Sequence, residues 1–216
     1  FRSINYEQHV NTSLTRPLPA GTNQRKPYFR YYLPPNMGVK ASNEVASLIG
    51  IGNYELVMNL KVSRVIASQE EKALTPEDIN EDLKANLLYE KEGQYVDINE
   101  QNQTFYITVF KQGDKHLSVL LENNQVEMIA VVAKEDFAYI LEHMMLVLRS
   151  IEVDEEKVVK DFSNKEIVED KTIHEDFFEH AVPESGSLID MYNRLHPDDP
   201  IVENKQDNVE ETKKKE

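Results

Sequence analysis

Residues 104–133 constrain the fold more than any other stretch, because apolar and polar side chains alternate there around two turn sequences. One of these turns, Asn123-Asn124, is typical of a two-residue β-hairpin. It predicts that Leu121 lies opposite Val126 on the neighbouring strand. Every second residue away from this pair then lies on the same face of the hairpin.

A second turn, Gln112-Gly113-Asp114, adds a third strand and predicts that Val109 lies opposite Leu117. Both turns place the same apolar residues on one face, namely Phe105, Ile107, Val109, Leu117, Val119, Leu121, Val126, Met128 and Ala130. A register slip of one residue would turn a whole strand to the other face. The agreement between the turns therefore predicts a three-stranded antiparallel meander with one buried face.

The period of the pattern changes after residue 133, where apolar residues recur three or four positions apart. This spacing predicts a helix of roughly four or five turns that covers the apolar face of the meander. Its apolar stripe consists of Phe137, Ile140, Leu141, Met144, Leu148 and Ile151. The sequence thus predicts an α+β fold in which helices flank a twisted antiparallel sheet.

The region before the meander predicts further strands and helices. An aromatic strand is expected over 28–33, and a long strand with one mostly polar face over 54–62. A short helix is expected over 42–48, and a second helix from Thr75, which is a suitable N-cap. A short strand is expected over 95–98. The second helix carries an apolar stripe, made of Ile79, Leu83 and Leu87.

The chain of 216 residues is acidic, with a net charge of −15, although its first 50 residues carry more basic than acidic side chains. This balance argues against nucleic-acid binding, which depends on Lys and Arg neutralising phosphates. Arg25, Lys26 and Arg30 lie among tyrosines, so they could serve as a base-stacking platform. The alternative is that these tyrosines are ordinary strand residues with buried rings.

The chain contains no cysteine, which excludes disulfides, thiolate nucleophiles and cysteine-bound metals within it. It begins at Phe1 rather than Met, which is expected if a signal peptide or membrane anchor precedes it, and equally if it starts at a domain boundary. No stretch approaches 18 consecutive apolar residues. We therefore expect any membrane attachment to come from an anchor outside this chain.

Three features occur in an order that resembles the PsbP-like family, which includes LpqN-type bacterial lipoproteins. They are an aromatic strand ending in Leu33-Pro34-Pro35, a later meander, and a closing helix ending in Leu148-Arg149-Ser150-Ile151. The resemblance covers roughly residues 28–153. It implies a sandwich of an antiparallel sheet and helices, and a noncatalytic accessory protein or exported lipoprotein. Where the family has Gly-Trp after the proline, this chain has Asn36-Met37-Gly38.

The sequence predicts four parts, which are an extended lead-in over 1–27, the α+β domain over 28–153, a helical extension over 154–196 and a disordered acidic tail over 197–216. The extension is too rich in large apolar residues for a solvated segment. They are Phe177, Phe178, Leu188, Ile189, Met191, Tyr192 and Leu195. Two interpretations stay open: these residues pack on the chain's own domain, or they bind a partner protein. The six candidate binding residues are Phe177, Phe178, Leu188, Met191, Tyr192 and Leu195.

The stretch over 174–180 is the one histidine cluster that resembles a metal site. Its two histidines, His174 and His180, are six positions apart, whereas a zinc-binding helix needs them four apart; Asp176 has the right spacing from His180. A solvated acidic helix face explains the cluster better. No Gly-x-Ser-x-Gly occurs, and no pair of carboxylates stands out among the many. The sequence therefore predicts no catalytic residue, metal or cofactor.

The resulting hypothesis is a noncatalytic domain outside the membrane of a low-GC Gram-positive bacterium. It would be tethered by a lipid or helix N-terminal to the chain, and would bind another protein of an envelope or secretion assembly. The alternative is a carrier of a small hydrophobic ligand in a pocket between the sheet and the helix over 134–150. Three methionines would then line that pocket, Met128, Met144 and Met145.

Overall fold

The computed structural model of the chain describes residues 3–69, 81–163 and 186–196. Its helices are α1 (Tyr6–Leu14), α2 (Val62–Gln69), α3 (Glu81–Lys84), a 3₁₀ turn (Lys134–Asp136), α4 (Phe137–Ser150), α5 (Glu155–Phe162) and α6 (Gly186–Leu195). Its strands are β1 (Gln24–Arg25), β2 (Phe29–Tyr31), β3 (Met37–Ser42), β4 (Ala46–Ile51), β5 (Tyr54–Leu60), β6 (Leu87–Val96), β7 (Asn102–Gln112), β8 (His116–Glu122), β9 (Val126–Ala133) and β10 (Glu152–Val153). The fold is of the predicted α+β class.

Seven strands form one antiparallel sheet in the order β3-β4-β5-β9-β8-β7-β6, and β1, β2 and β10 form a small second sheet. After β5 the chain leaves the middle of the large sheet and reaches its far edge at β6. It then returns strand by strand until β9 pairs with β5. The predicted meander of β7, β8 and β9 therefore lies between the far edge strand and the sheet centre.

The face of the large sheet under α4 contains the main hydrophobic core. All nine residues predicted for the buried face of the meander belong to it, and so do all six residues of the predicted helix stripe. Burial of each such side chain contributes about 1.5–3 kcal/mol. Gly93 on β6 belongs to this packing because a Cβ there would lie 2.4 Å from the Phe105 ring. The predicted meander with a covering helix is confirmed.

Both hairpins of the meander differ in register from the prediction, each by two residues. Leu121 lies opposite Met128, and Val109 lies opposite Val119. The β8–β9 turn is centred one residue later than predicted, because Asn123 precedes the turn. Its carboxamide oxygen accepts hydrogen bonds from the backbone N–H groups of Gln125 and Val126. A shift of two residues preserves the side-chain face, so the predicted core survives the wrong register.

The helix predicted over 42–48 is wrong, because these residues form the turn and second strand of the β3–β4 hairpin. The carboxamide of Asn43 accepts hydrogen bonds from the backbone N–H groups of Val45 and Ala46 and closes the turn. From Ala46 onward, β4 pairs with β5 along its whole length. This pairing decides in favour of a strand, although the apolar spacing is compatible with a helix.

The extended lead-in predicted over 1–27 is wrong for residues 6–14, which form α1. The side chain of Asn5 accepts a hydrogen bond from the backbone N–H of Gln8 and caps this helix. Its fully buried Val10 belongs to the main core, and the Tyr6 ring contacts Phe137 of α4 edge-on, with centroids 5.3 Å apart. The helix therefore contributes to the cover over the main face.

Two further boundaries differ from prediction around α2 and β6. Val62 was expected to end a strand but begins α2. Leu87 was expected in a helix stripe but begins β6, a strand of ten residues that replaces the short one expected over 95–98. The first six residues of the helix predicted from Thr75 lie outside the described residues, and so does the tail over 197–216; Glu81–Lys84 form α3.

Candidate functional site

The face of the large sheet that points away from α4 holds a second hydrophobic core, which α6 covers. The sheet contributes Ala46, Leu48, Val57, Phe110, Leu120 and Ile129 to this core. The mostly polar face expected for the strand over 54–62 was therefore wrong, because Val57 and Asn59 are buried. We call this surface the second sheet face.

α6 lies on the second sheet face because its apolar residues recur at helical spacing. Leu188, Met191, Tyr192 and Leu195 follow the i, i+3, i+4, i+7 pattern of a helix with one apolar side. Asp190 and Arg194, between them, are exposed. Ten residues are too few for a helix to be stable by itself, so α6 is stabilised by burying this apolar stripe against the sheet rather than by helix propensity.

The structure brings four of the six residues predicted to bind a partner onto the second sheet face. Leu188, Met191 and Tyr192 are at most 4% exposed, and Leu195 is half-buried against the same core. The other two, Phe177 and Phe178, lie outside the described residues, as do His174 and His180. Partner binding by these residues stays a prediction, and for the helix residues it requires α6 to leave the sheet.

The apolar contact between α6 and the sheet ends at a contact between His196 and the buried carboxylate of Glu127. Nε2 of His196, which directly follows α6, lies 3.0 Å from Oε1 of Glu127 on β9. The same carboxylate oxygen accepts a hydrogen bond of 3.3 Å from Nδ2 of Asn59 on β5. Burial alone would raise the pKa of Glu127, but the charge and hydrogen bond of His196, with Lys61 and Asn59, lower it to about 2. Glu127 is thus held as a buried carboxylate.

A second acidic residue, Glu122, lies directly opposite Glu127 across β8 and β9. Its carboxylate is 3.0 Å from Nζ of Lys61, which also donates to the backbone carbonyl of Asn123. Burial raises the pKa of Glu122; Lys61 opposes this shift, and the charge of Glu127 adds to it. Two carboxylates of like charge therefore share this end of the sheet and depend on nearby cations.

Asn59 leaves an acceptor atom unused at the same place. Its side chain is buried, and within the described ranges its Oδ1 meets no hydrogen-bond donor. A buried acceptor without a donor costs about 1–3 kcal/mol. We refer to Asn59, Lys61, Glu122, Glu127 and His196 as the charged cluster. Its arrangement is suited to receiving one more cationic or N–H donor.

The sequence holds one sign of this cluster. β9 is apolar on both faces except at Glu127, and an acid inside such a strand is rarely buried without a partner. The partner could not be inferred, because His196 is 69 positions away and was placed at the limit of the helical extension. Asn59 and Lys61 gave no signal beyond ordinary alternation.

A second region with unusual electrostatics surrounds Lys26, beside a cavity of about 470 Å³. Burial lowers the pKa of Lys26 to about 8, and its Nζ donates to Oγ of Ser47 at 2.9 Å. The rings of Tyr28, Phe29 and Tyr31 are buried in the main core. They therefore offer no exposed surface for the base-stacking platform considered from the sequence.

An open groove of about 970 Å³ lies beside α1 and the start of β6. Ile4, Tyr6 and Leu88 provide its apolar lining, and Lys111 and Lys134 are among the charged residues around it. The pocket expected between sheet and α4 would have been lined by Met128, Met144 and Met145. These three methionines are fully buried within the main core.

Two classes of site were searched for across the described ranges. No group of three or more His, Asp and Glu side chains in them is placed to hold a metal ion. Among the helices of the same ranges, none has the length and apolar character needed to span a membrane.

Comparison with protein-family models and with curated proteins finds no match. A crystal structure of a protein from Bacteroides thetaiotaomicron VPI-5482 is similar in part, with 13% identity and a TM-score of 0.29. The similarity covers 62% of this chain and 48% of that protein, so the chain spans about half its length. A likeness of this size supports no argument about fold or function.

Proposed function

We propose that this chain is a noncatalytic accessory domain that binds another protein of a cell-envelope or secretion assembly through the second sheet face and α6. The observation that supports this proposal is the cover of that face by the ten-residue α6, to which α3 adds only Leu83 in the described part of the chain. Residues 164–185 separate α6 from α5 in the sequence. The face therefore has the surface chemistry of a helix-binding groove, which is a common mode of peptide recognition.

The proposed location is the outer side of the membrane, with an N-terminal lipid or helical anchor. Its support is the pattern resemblance to exported lipoproteins. Fractionation of source cells with an antibody against the domain tests it, combined with protease treatment of intact protoplasts. Degradation of membrane-associated protein by external protease is expected. Full protection, or recovery in the soluble cytoplasmic fraction, would contradict the location without affecting the binding surface.

Photo-crosslinking in source cells tests the binding role. A photoreactive amino acid at Asn124 is expected to yield one dominant crosslinked protein, because this residue is exposed in the β8–β9 turn and follows Asn123, whose carbonyl accepts a hydrogen bond from Lys61. The matched control is the same residue at Asp114, whose side chain is 94% exposed in the turn at the opposite end of the sheet. Equal crosslinking from both positions, or none from Asn124, would contradict binding at this face.

The open groove beside α1 favours a second candidate function, that of a carrier for a small hydrophobic ligand. Its volume of about 970 Å³ is in the range of ligand sites, and Ile4, Tyr6 and Leu88 offer apolar contacts. Native mass spectrometry of the purified chain tests this function. A bound lipid-sized mass that is reduced by Leu88→Asp would support it, whereas ligand-free protein that also fails to bind fatty acids would exclude it.

A further inference from the structure

α6 is an imperfect occupant of the second sheet face. Its apolar stripe is well buried, but at its end His196 brings Nε2 to Glu127 while Oδ1 of Asn59 stays without a donor in the described part of the chain. A neutral imidazole has only one N–H to donate, whereas an arginine side chain has five. A different helix could therefore bind this face more tightly than α6 if its end donated hydrogen bonds to both Glu127 and Asn59.

The charges of the cluster favour a permanent cation at this position. Glu127 is a buried carboxylate and Glu122 a mostly buried one, and Lys61, only 10% exposed, balances one of them. Arg64 also acts on Glu122, but it is partly exposed to solvent. A histidine balances the second carboxylate only while it is protonated, whereas arginine does so at every physiological pH.

We propose that the second sheet face is the receptor for an amphipathic helix of a partner protein, and that this helix carries arginine where α6 is followed by His196. The partner helix would displace α6, pair its guanidinium with Glu127 and donate to Oδ1 of Asn59. This inference rests on the proposed function and adds the chemistry of the partner. α6 then acts as a built-in competitor that keeps the apolar face covered until the partner arrives.

Substitution within the full chain tests the chemistry first. His196→Arg is expected to slow hydrogen exchange of the α6 amides roughly tenfold, because a charge-assisted pair replaces a weaker one. His116→Arg, at an exposed position on β8, controls for the added charge. The gain should vanish when Glu127→Gln is also present. Unchanged or faster exchange in H196R would overturn the proposal.

A peptide in trans tests displacement. The receptor is the full chain with Leu188→Asp and Met191→Asp, which keep α6 off the sheet. Two fluorescein-labelled peptides with the sequence of residues 186–196 are compared by anisotropy, one natural and one with arginine in place of His196. We expect the arginine peptide to bind roughly tenfold tighter, with the preference lost in E127Q. Equal affinities would overturn the proposal. If this receptor does not fold, the hydrogen-exchange comparison of H196R with wild type in the full chain is the deciding test.

The crosslink from Asn124 separates failure of this inference from failure of the proposed function. Mass spectrometry of a crosslinked partner is expected to identify a segment with helical apolar spacing and a basic residue at one end. A partner joined through an extended or acidic segment would overturn the inference and leave the binding function intact. A crystal structure with an ordered water already donating to Oδ1 of Asn59 would also overturn it.

Discussion

The two faces of the large sheet are both apolar, but they are covered in different ways. The face under α4 is covered by a helix that follows β9 directly, so the meander and its cover are contiguous over residues 102–150. The second sheet face is covered by α6, which begins more than 50 residues after β9 ends. A cover that follows its strands directly needs only local chain closure. A helix that comes much later in the chain can detach from the sheet with its own free energy of opening while the sheet stays folded.

The charged cluster strengthens this contrast. The main core is lined by apolar side chains, whereas the second core ends in the buried Glu127, the mostly buried Glu122, a lysine and a histidine. Removing one partner of a buried ion pair is strongly destabilising, because the remaining charge cannot return to water. The cover of the main face thus depends on apolar packing, whereas the cover of the second sheet face depends on charged groups as well.

The largest expected effect is loss of the whole fold through the main face. Phe105→Ala removes a fully buried ring from the main core and should lower the free energy of unfolding by about 4 kcal/mol. Tyr106→Ala, at the next position on β7, is the matched control, with an expected loss below about 1 kcal/mol. Urea unfolding measures both. Similar losses at the two positions would break the distinction between the faces.

The next effect is a dependence on pH through Glu127. Because its folded pKa of about 2 is below the ordinary 4.5, its carboxylate stabilises the fold above pH 4.5, and this contribution disappears as pH falls from 4.5 towards 2. The difference corresponds to roughly 3 kcal/mol. Urea unfolding of wild type and Glu127→Gln across this range measures it.

The wild-type curve should lose this contribution at acid pH, and the E127Q curve should lack it. Glu90→Gln, at an exposed position on β6, serves as the control for removing one acidic group. Parallel curves for wild type and E127Q would mean that the buried pair with His196 does not hold α6.

A smaller effect is expected when the α6 stripe is shortened. Met191→Ala should weaken the docking of α6 by about 2 kcal/mol, which speeds hydrogen exchange in that helix roughly 30-fold. Exchange in β7 and β8 should stay as in wild type, because these strands keep the cover provided by α4. Asp190→Ala, on the exposed side of α6, is the control. Equal acceleration in helix and sheet would mean that the two faces unfold together.

The smallest effect concerns α1, which adds to the cover of the main face. Asn5→Ala removes the side-chain cap of this helix and should lower the free energy of unfolding by about 1 kcal/mol. Asn5→Asp should keep most of the stability, because aspartate also caps. Thermal unfolding of the two variants measures the difference. A loss confined to hydrogen exchange within α1 would show that this helix opens independently of the rest of the main face.

The sequence was most informative where elements follow one another directly. The two turns predicted which side chains of the meander lie on its buried face. That prediction is correct although each hairpin register was wrong by two residues, because a shift of two leaves every side chain on the same face. The error in the β8–β9 hairpin had a local cause, because Asn123 lies before the turn and closes it with its side chain, whereas the prediction placed Asn123 within the turn. The hairpin over β3 and β4 was missed because the apolar spacing from Val45 to Ile49 suits a helix as well as a strand. Pairing with β5 decides between them, and that information is not local.

The candidate site depends almost wholly on such nonlocal information. The apolar residues of α6 were identified, and both of their interpretations were left open. Which surface they contact depends on strands more than 50 positions away, and the pairing of Glu127 with His196 spans 69 positions. The alternation in β5 also predicted that its side on the second sheet face would be polar and exposed. Alternation identifies one buried face of a strand, and it does not show that another element covers the opposite face.

The late position of α6 in the chain has a consequence for synthesis. β9 ends at Ala133, and α6 ends 62 residues later at Leu195. At roughly 5–20 residues per second, the ribosome needs about 3–12 s to make this interval. Throughout that time the sheet can be complete while the part of its second face that α6 covers stays open. A nascent chain of this protein therefore offers an apolar surface to chaperones before α6 can cover it.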